Sequence, residues 1–464
     1  MTLSGTRHEP SKRTFGVQKH HLISLATPEA ESCWSRCGTL WLARGPCVRI
    51  DHGGRSKVDG PHQGLRLRLN LSLRPLASRT RPPSIRRTVL SDPSVPNEVP
   101  SWLQPLRDLA HQLGFVRIGV APAVDSQGYS DLVRWIDQGY AADMDYFENR
   151  LPAYRHPDGV MPGTKSIMVL AFPYPTELAG DLLVGHGQVA RYAWPGDDYH
   201  DTIHGKLKKL RRLVLDAAPE TRVRGCVDTA PLMERELAML AGIGWRGKNT
   251  LLLNREIGSY FFLACLLLDV DLPCDAPHDS THCGTCTACL DACPTDAFPR
   301  PGVLDASRCI SYLTIEHRGP IDPELRSGMG EWVFGCDVCQ EVCPWNRKPA
   351  RRAMSPGSMT SPRSMHPLRQ LDLRQFFEMD DQDFRDRFRK TPLWRTRRRG
   401  MMRNAAIVFG NQRDASALPL LRKASADPDP VVAEACRWAI DQITSGGSES
   451  TLPSRRTDAT GQDG

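Results

Sequence analysis

No run of about 18 or more apolar residues occurs in the 464-residue sequence, so hydropathy gives no transmembrane helix. The longest apolar run, Tyr260 to Leu268, has the length of a buried strand. The N-terminus has no apolar core followed by a small-residue cleavage site, so no secretory signal is read and a cytoplasmic chain is expected. Aromatics make up only 7%. Hydrophobic content of 40% and charged content of 24% are ordinary for a globular protein. A chain-wide excess of one charge is also missing. The net charge of +7 arises in residues 1–100, with 16 Lys and Arg against 7 Asp and Glu; the remainder holds 44 against 46. A basic surface on the body of the protein must therefore be local.

Residues 1–97 lack periodicity and mix Arg, Ser, Pro and Gly, as in the stretch Arg79 to Arg87. They are expected to be disordered, or to result from a start assigned too far upstream. From Trp102 onward, helical and strand patterns alternate. Leu103, Leu106, Leu109, Ala110 and Leu113 share a helix face, and Leu207, Leu210, Leu213 and Val214 share another. Strands are expected at 115–121, 166–172, 223–227 and within 258–270. This alternation predicts an α/β domain over 98–272. A cysteine-rich module follows at 273–348, then a polar connector at 349–366. Residues 367–445 read as helical. A helix pair joined by Asp427-Pro-Asp-Pro430 there resembles a HEAT-type repeat. The tail, 446–464, reads as disordered.

Cysteine is the abundant exception. There are 15, and eight of them lie between Cys283 and Cys343. An odd total with one dense cluster does not suit a disulfide framework, and it points to metal ligation. Cys283, Cys286, Cys289 and Cys293, followed by Pro294, give C-x2-C-x2-C-x3-C-P, the bacterial ferredoxin spacing. The fourth cysteine of such a run ligates the other cluster in two-cluster ferredoxins. Cys336, Cys339 and Cys343, followed by Pro344, repeat the last three positions. Val333 stands where the first would be and cannot ligate. Cys309 lies upstream and supplies the missing thiolate. One [4Fe–4S] cluster is then held by Cys283, Cys286, Cys289 and Cys343, the other by Cys293, Cys309, Cys336 and Cys339. The competing reading is a pair of structural zinc sites, which also use C-x2-C pairs. The remaining cysteines, among them Cys226, Cys265, Cys274 and Cys436, read as core or free thiols.

Several further stretches carry a resemblance. Val227-Asp-Thr-Ala-Pro-Leu-Met-Glu-Arg235, Gly242-Ile-Gly-Trp-Arg-Gly-Lys-Asn-Thr250, Arg191-Tyr-Ala193, Asp198-Tyr-His200, Cys309 to Glu316 and Thr391 to Asn404 look like the epoxyqueuosine reductase family. The resemblance covers roughly 100–445. It implies reduction of epoxyqueuosine to queuosine at the wobble position of tRNA. It also implies cobalamin in the α/β domain with no axial histidine from the protein, two clusters delivering electrons one at a time from an external donor, and an acid protonating the departing oxygen. The family's proton donor falls on Asp228, which would need a raised pKa. Capping of the following helix is the alternative role for Asp228. The candidate cofactor contacts are Arg155, Arg191, Asp228, Lys248, Asn249 and Ser311.

Two motif readings are rejected. Gly242, Gly247 and Lys248 fit G-x-x-x-x-G-K, but Asn249 replaces the magnesium-binding Ser or Thr, so a triphosphate site is not expected. Asp198-Tyr-His200 would need glycine at Ile203 to be a cobalamin-histidine motif, so His200 and His204 read as hydrogen-bonding or capping groups. Nine basic residues lie between Arg385 and Arg403, with Asp386 the only acid among them. This is the expected tRNA-binding face. A reductive dehalogenase-like enzyme and a simple iron–sulfur electron carrier are the rival functions. The first leaves the basic stretch unexplained; the second leaves no use for the α/β domain. A monomer is expected, with no membrane contact.

Overall fold

The computed structural model describes residues 99–174, 176, 181–347 and 367–445. The expected N-terminal extension, connector and tail lie outside the described residues.

The first part of the described chain runs α1 (Leu103–Gln112), β1 (Arg117–Pro122), α2 (Tyr129–Asp137), β2 (Ser166–Pro173), β3 (His186–Val189), α3 (Tyr199–Ala217), β4 (Val223–Cys226), α4 (Glu234–Leu240), β5 (Trp245–Arg246), β6 (Leu252–Leu253) and β7 (Phe261–Leu268). Four of these strands form one sheet in the order β1-β2-β7-β4. Every pair in it is antiparallel. Alternating helices and strands suggest a parallel sheet, whose loops line ligand sites at the carboxyl ends of strands. That rule does not apply to this sheet.

Strand β2 is buried along its whole length. Successive side chains point to opposite faces. Met168, Leu170 and Phe172 pack with α1 and α3, whereas Ile167, Val169 and Ala171 pack with α4. Helix α3 forms because Asp198 accepts the His200 N–H at its start and Ile203, Leu207, Leu210 and Val214 recur on one face. Burying those four contributes on the order of 1.5–3 kcal/mol each. Gly119 lets the α4 end approach β1, because a Cβ there would lie 2.0 Å from the Ala241 carbonyl oxygen.

The later elements are α5 (Ala288–Asp291), α6 (Ile310–Ile315), β8 (Trp332–Phe334), α7 (Val338–Glu341), β9 (Gln370–Asp372), α8 (Asp381–Phe388), α9 (Arg397–Gln412), α10 (Leu418–Ala424) and α11 (Pro430–Ser445). Strand β3 leaves the first part to pair parallel with β8 and antiparallel with β9. One core then spans β3, α6, β8, α8, α9, α10 and α11. Helix α9 runs through it, with Met401 to Gly410 all buried. Asn404 donates to the Thr314 and Val333 carbonyls at 2.9 and 3.0 Å. Arg403 donates to the Leu313, His317 and Gly319 carbonyls. Both side chains thus satisfy the open C-terminal carbonyls of α6. Arg403 is 1% exposed, so this member of the basic stretch is structural and does not belong to a nucleic-acid face. Among the described residues no helix is long and apolar enough to cross a membrane.

Candidate active site

The two cysteine runs fold alike. Each places the cysteine before its last gap, Cys289 or Cys339, on a one-turn helix, α5 or α7, and these two helices pack together. All twelve described cysteines are free thiols. Burial, then Cys343, Cys283 and Cys286, push the Cys289 thiol up to about 11. Cys343 is raised by burial and by Cys283 and Cys286. Cys309 is raised by burial and Cys293, and Cys336 by burial, Cys339 and Cys309. Cys339 is raised by burial, Cys309, Cys289 and Cys293. The thiols thus influence one another along two lines, Cys289 with Cys283, Cys286 and Cys343 and Cys309 with Cys293, Cys336 and Cys339, and Cys339 also feels Cys289. Among the described residues no three thiol, imidazole or carboxylate groups meet closely enough for a single ion. Backbone N–H groups already face the sulfurs: Ala297 donates to Cys293 at 3.3 Å, and Ser311 and Tyr312 face Cys309.

Most of the expected cofactor contacts serve this module instead. Lys248 Nζ donates to the Gly284 and Cys286 carbonyls at 2.8 and 2.9 Å. It clamps the first cysteine loop. Asn249 is 3% exposed and donates to the Cys339 carbonyl at 3.3 Å. Ser311 starts α6 behind Cys309. Arg191 is buried and pairs with Asp337 at 3.0 Å and Glu341 at 2.7 Å. Burial is the largest influence and opposes its charge, but Asp337, Tyr260 and Glu341 together outweigh it and raise its pKa. It anchors α7 and does not reach outward to a ligand. Arg155 is exposed beside Asp125 at 3.5 Å.

Asp228 stands apart from these. It lies just past β4 with φ +53, the left-handed region that a residue other than glycine rarely adopts. Its N–H donates to Glu234 Oε1 at 3.1 Å. Its carboxylate accepts from the Tyr199 hydroxyl at 2.7 Å and lies 3.7 Å from His200 Nε2. It does not cap α4, which begins after Met233, so the capping alternative is overturned. The Asp228 side chain is 63% exposed, yet desolvation by the surrounding protein is the largest influence on it. The carboxylate is thus open to solvent on one side and surrounded by protein on the others. Desolvation raises its pKa, but hydrogen bonds from His200 and Tyr199 leave it below the ordinary value, contrary to the raised value expected of an acid. The proton of the pair sits on His200 instead: burial lowers that imidazole, but hydrogen bonds to Asp198 and Asp228 bring it up to about 9. Glu234 is pushed up to about 8, chiefly by burial and then by Asp228.

Charges from distant segments act on the same group. Arg395, from the basic stretch, pairs with Glu316 at the end of α6. Asp228 and Tyr146 both act on its charge. Tyr192 feels Asp228, Glu316 and Arg395 together. Tyr199 stacks on Phe262 with centroids 4.1 Å apart, and Tyr192 meets both edge-on. The helix that starts at Cys309 thus ends beside Asp228.

A family model described as "Epoxyqueuosine reductase QueG, DUF1730" matches residues 155–229, and one described as "4Fe-4S double cluster binding domain" matches 282–346. An epoxyqueuosine reductase of Pseudomonas aeruginosa is 39% identical over 361 residues, which are 76% of this chain and 97% of that protein. This chain belongs to the epoxyqueuosine reductase family. It is a reductase with an iron–sulfur cofactor. A crystal structure of an epoxyqueuosine reductase with an epoxyqueuosine-modified tRNA-Tyr stem loop is similar at TM-score 0.66 and 32% identity, covering 73% of this chain and 89% of that one. A Bacillus subtilis epoxyqueuosine reductase, solved with its catalytic aspartate loop swung out of the active site, gives TM-score 0.65 and 30% identity over 73% and 90%.

Within this family member, sequence reasoning misses the Tyr199–His200–Asp228 group as a unit. The available signal is Asp198-Tyr-His200 at the helix start, which a comparison with the cobalamin-histidine pattern alone discards. Glu316 and Arg395 also sit in separate motifs that the fold joins.

Proposed function

We propose that this chain reduces epoxyqueuosine to queuosine at the wobble position of tRNA, with two [4Fe–4S] clusters and cobalamin supplying electrons from an external donor and Asp228 supplying the proton. One observation carries this reading. Asp228, an accessible acid on a strained loop, and Glu316, at the end of the helix that begins at Cys309, act on the same Tyr192 ring and Arg395, and we read the space between them as a cleft.

The donor set fits the clusters: eight free thiols, Cys343 buried, Cys286 exposed and the rest half-buried, with backbone N–H groups facing Cys293 and Cys309, suit two four-iron cubes. The cleft fits a corrin. Its floor is the Tyr199, Phe262 and Tyr192 rings, which suits a broad, flat, mostly apolar macrocycle, and polar Asp228, Glu316 and Arg395 stand at its edge. When bound, the clusters would supply one-electron transfer and cobalamin a strongly reducing metal centre.

The chain's own residues handle protons and position. Loss of an epoxide oxygen as water consumes two electrons and two protons. Asp228 hands a proton from its carboxyl to the departing oxygen, and His200 replaces it across the 3.7 Å gap. A bound ligand that covers the cleft removes water from Asp228 and raises its pKa towards that of a donor. Tyr199 holds the carboxylate's orientation. Arg389, Lys390, Arg395 and Arg397 are exposed and suit tRNA phosphates. Arg397 also lies 3.9 Å over the Trp394 ring.

Anaerobically purified protein, with cobalamin added, is expected to show iron–sulfur absorption and paramagnetic signals from cluster and cobalt. It is then expected to convert epoxyqueuosine-containing tRNA when reductant is supplied. Zinc in place of iron, or loaded protein that leaves this tRNA unchanged, would overturn the reading.

A further inference from the structure

Trp245 is fully buried, and its indole nitrogen has no hydrogen-bond partner. A buried N–H without an acceptor is costly, and most are satisfied. The neighbouring indole makes the contrast: Trp345 donates its N–H to the His282 carbonyl at 3.3 Å. Trp245 lies on β5, in the loop motif from Gly242 to Thr250, where the proposed reaction gives it no task. It packs in one small core group with Leu253 and Cys343, against Cys283 and Trp345. Cys283 and Cys343 both belong to the first set of four thiols. The other rings around Trp245 are His278, stacked at 5.5 Å, and His282, edge-on at 4.7 Å. Those two histidines share a contact of 3.2 Å between their Nε2 atoms.

We infer that the Trp245 N–H donates a hydrogen bond to a bridging sulfide of the cluster held by Cys283, Cys286, Cys289 and Cys343. The inference rests on the iron–sulfur reading of those thiols. A donor to sulfur stabilises the extra negative charge of the reduced cluster, so the bond raises that cluster's reduction potential. Trp245 is then a positioning and tuning residue for electron entry. It touches neither tRNA nor the Asp228 cleft.

The test is a redox titration of the loaded holoenzyme, followed by electron paramagnetic resonance. Wild-type protein that shows no cluster signal would sink the iron–sulfur reading itself, separately from this inference. With clusters present, Trp245→Phe is expected to shift one cluster to a more negative potential and leave the other in place. Benzothienylalanine at position 245 keeps the bicyclic outline and removes the N–H. It is expected to give the same shift, which guards against a packing defect in the phenylalanine variant. Unchanged potentials in either loaded variant would overturn the inference. A third measurement needs no change at 245. Protein carrying 15N only in its indole nitrogens, in a Trp345→Phe background, is expected to show 15N hyperfine coupling to the reduced cluster, and its absence would overturn the inference.

Discussion

Replacing His200 with glutamine tests the acid pair at the centre of the cleft. His200 lies between Asp198, 2.8 Å from its Nδ1, and Asp228, 3.7 Å from its Nε2, with its side chain 25% exposed. Burial works against the imidazolium, and the two carboxylates more than compensate, bringing the pKa from 6.5 to about 9. That difference corresponds to roughly 3 kcal/mol of preference for the charged ring in the folded state. Because the folded pKa lies above the unfolded one, this contribution is complete below pH 6.5 and is lost as pH rises through about 9. Glutamine keeps hydrogen bonding and removes the titration. Chemical unfolding at a series of pH values should therefore show wild type and His200→Gln furthest apart near the acid end of that window and converging above it. Single-turnover rates on modified tRNA should show the same window. Wild-type turnover should fall as pH passes about 9, when His200 can no longer recharge Asp228, and the variant should be slow throughout with that limb absent. An alkaline limb of equal position and depth in both proteins would refute His200 as the proton store. So would a stability difference that does not change with pH.

Asp228→Asn should lower turnover by about 10²- to 10⁴-fold, the range for loss of a general acid, while tRNA binding and iron content stay at wild-type values in filter-binding and iron assays. Cys309→Ala should abolish the paramagnetic signal of one cluster and keep the other. Arg389→Glu combined with Lys390→Glu should weaken tRNA binding and flatten the slope of log affinity against log salt by roughly one for each phosphate no longer neutralised. Arg191→Met should destabilise the fold by roughly 3–5 kcal/mol, since it strands the buried Asp337 carboxylate, read as a lower denaturant midpoint.

The helices are legible in the sequence because periodicity reports burial: the face of Ile203, Leu207, Leu210 and Val214 is both the pattern and the packed surface. The cysteine runs are legible because their spacing is a local constraint, although each expected set of four draws a ligand from the other run. Other features depend on contacts between distant segments. Strands β3, β8 and β9 are three or four residues long, too short for an alternating signal, and they come from three separate stretches. Sheet direction has no local signature either, so the antiparallel order is not visible. Arg191 looks like a ligand contact because a charged residue in a family motif suggests exposure, and its partner Glu341 lies 150 residues away. A comparable span of chain separates Arg395 from Asp228. The unusual backbone of Asp228 leaves no sign in composition, since aspartate tolerates the left-handed region better than most residues.

The shared core of the later half has a consequence for how the enzyme ages in a cell. The cores on the two faces of the first sheet are built from residues of the first part alone. The other core takes in Cys309 and Cys336 at its edge and reaches from β3 to α11. Oxygen damage that strips one cluster would therefore loosen the C-terminal half and free the β3 edge, while the first sheet stays folded. A damaged enzyme of this kind would expose an unpaired strand and an apolar seam to proteases.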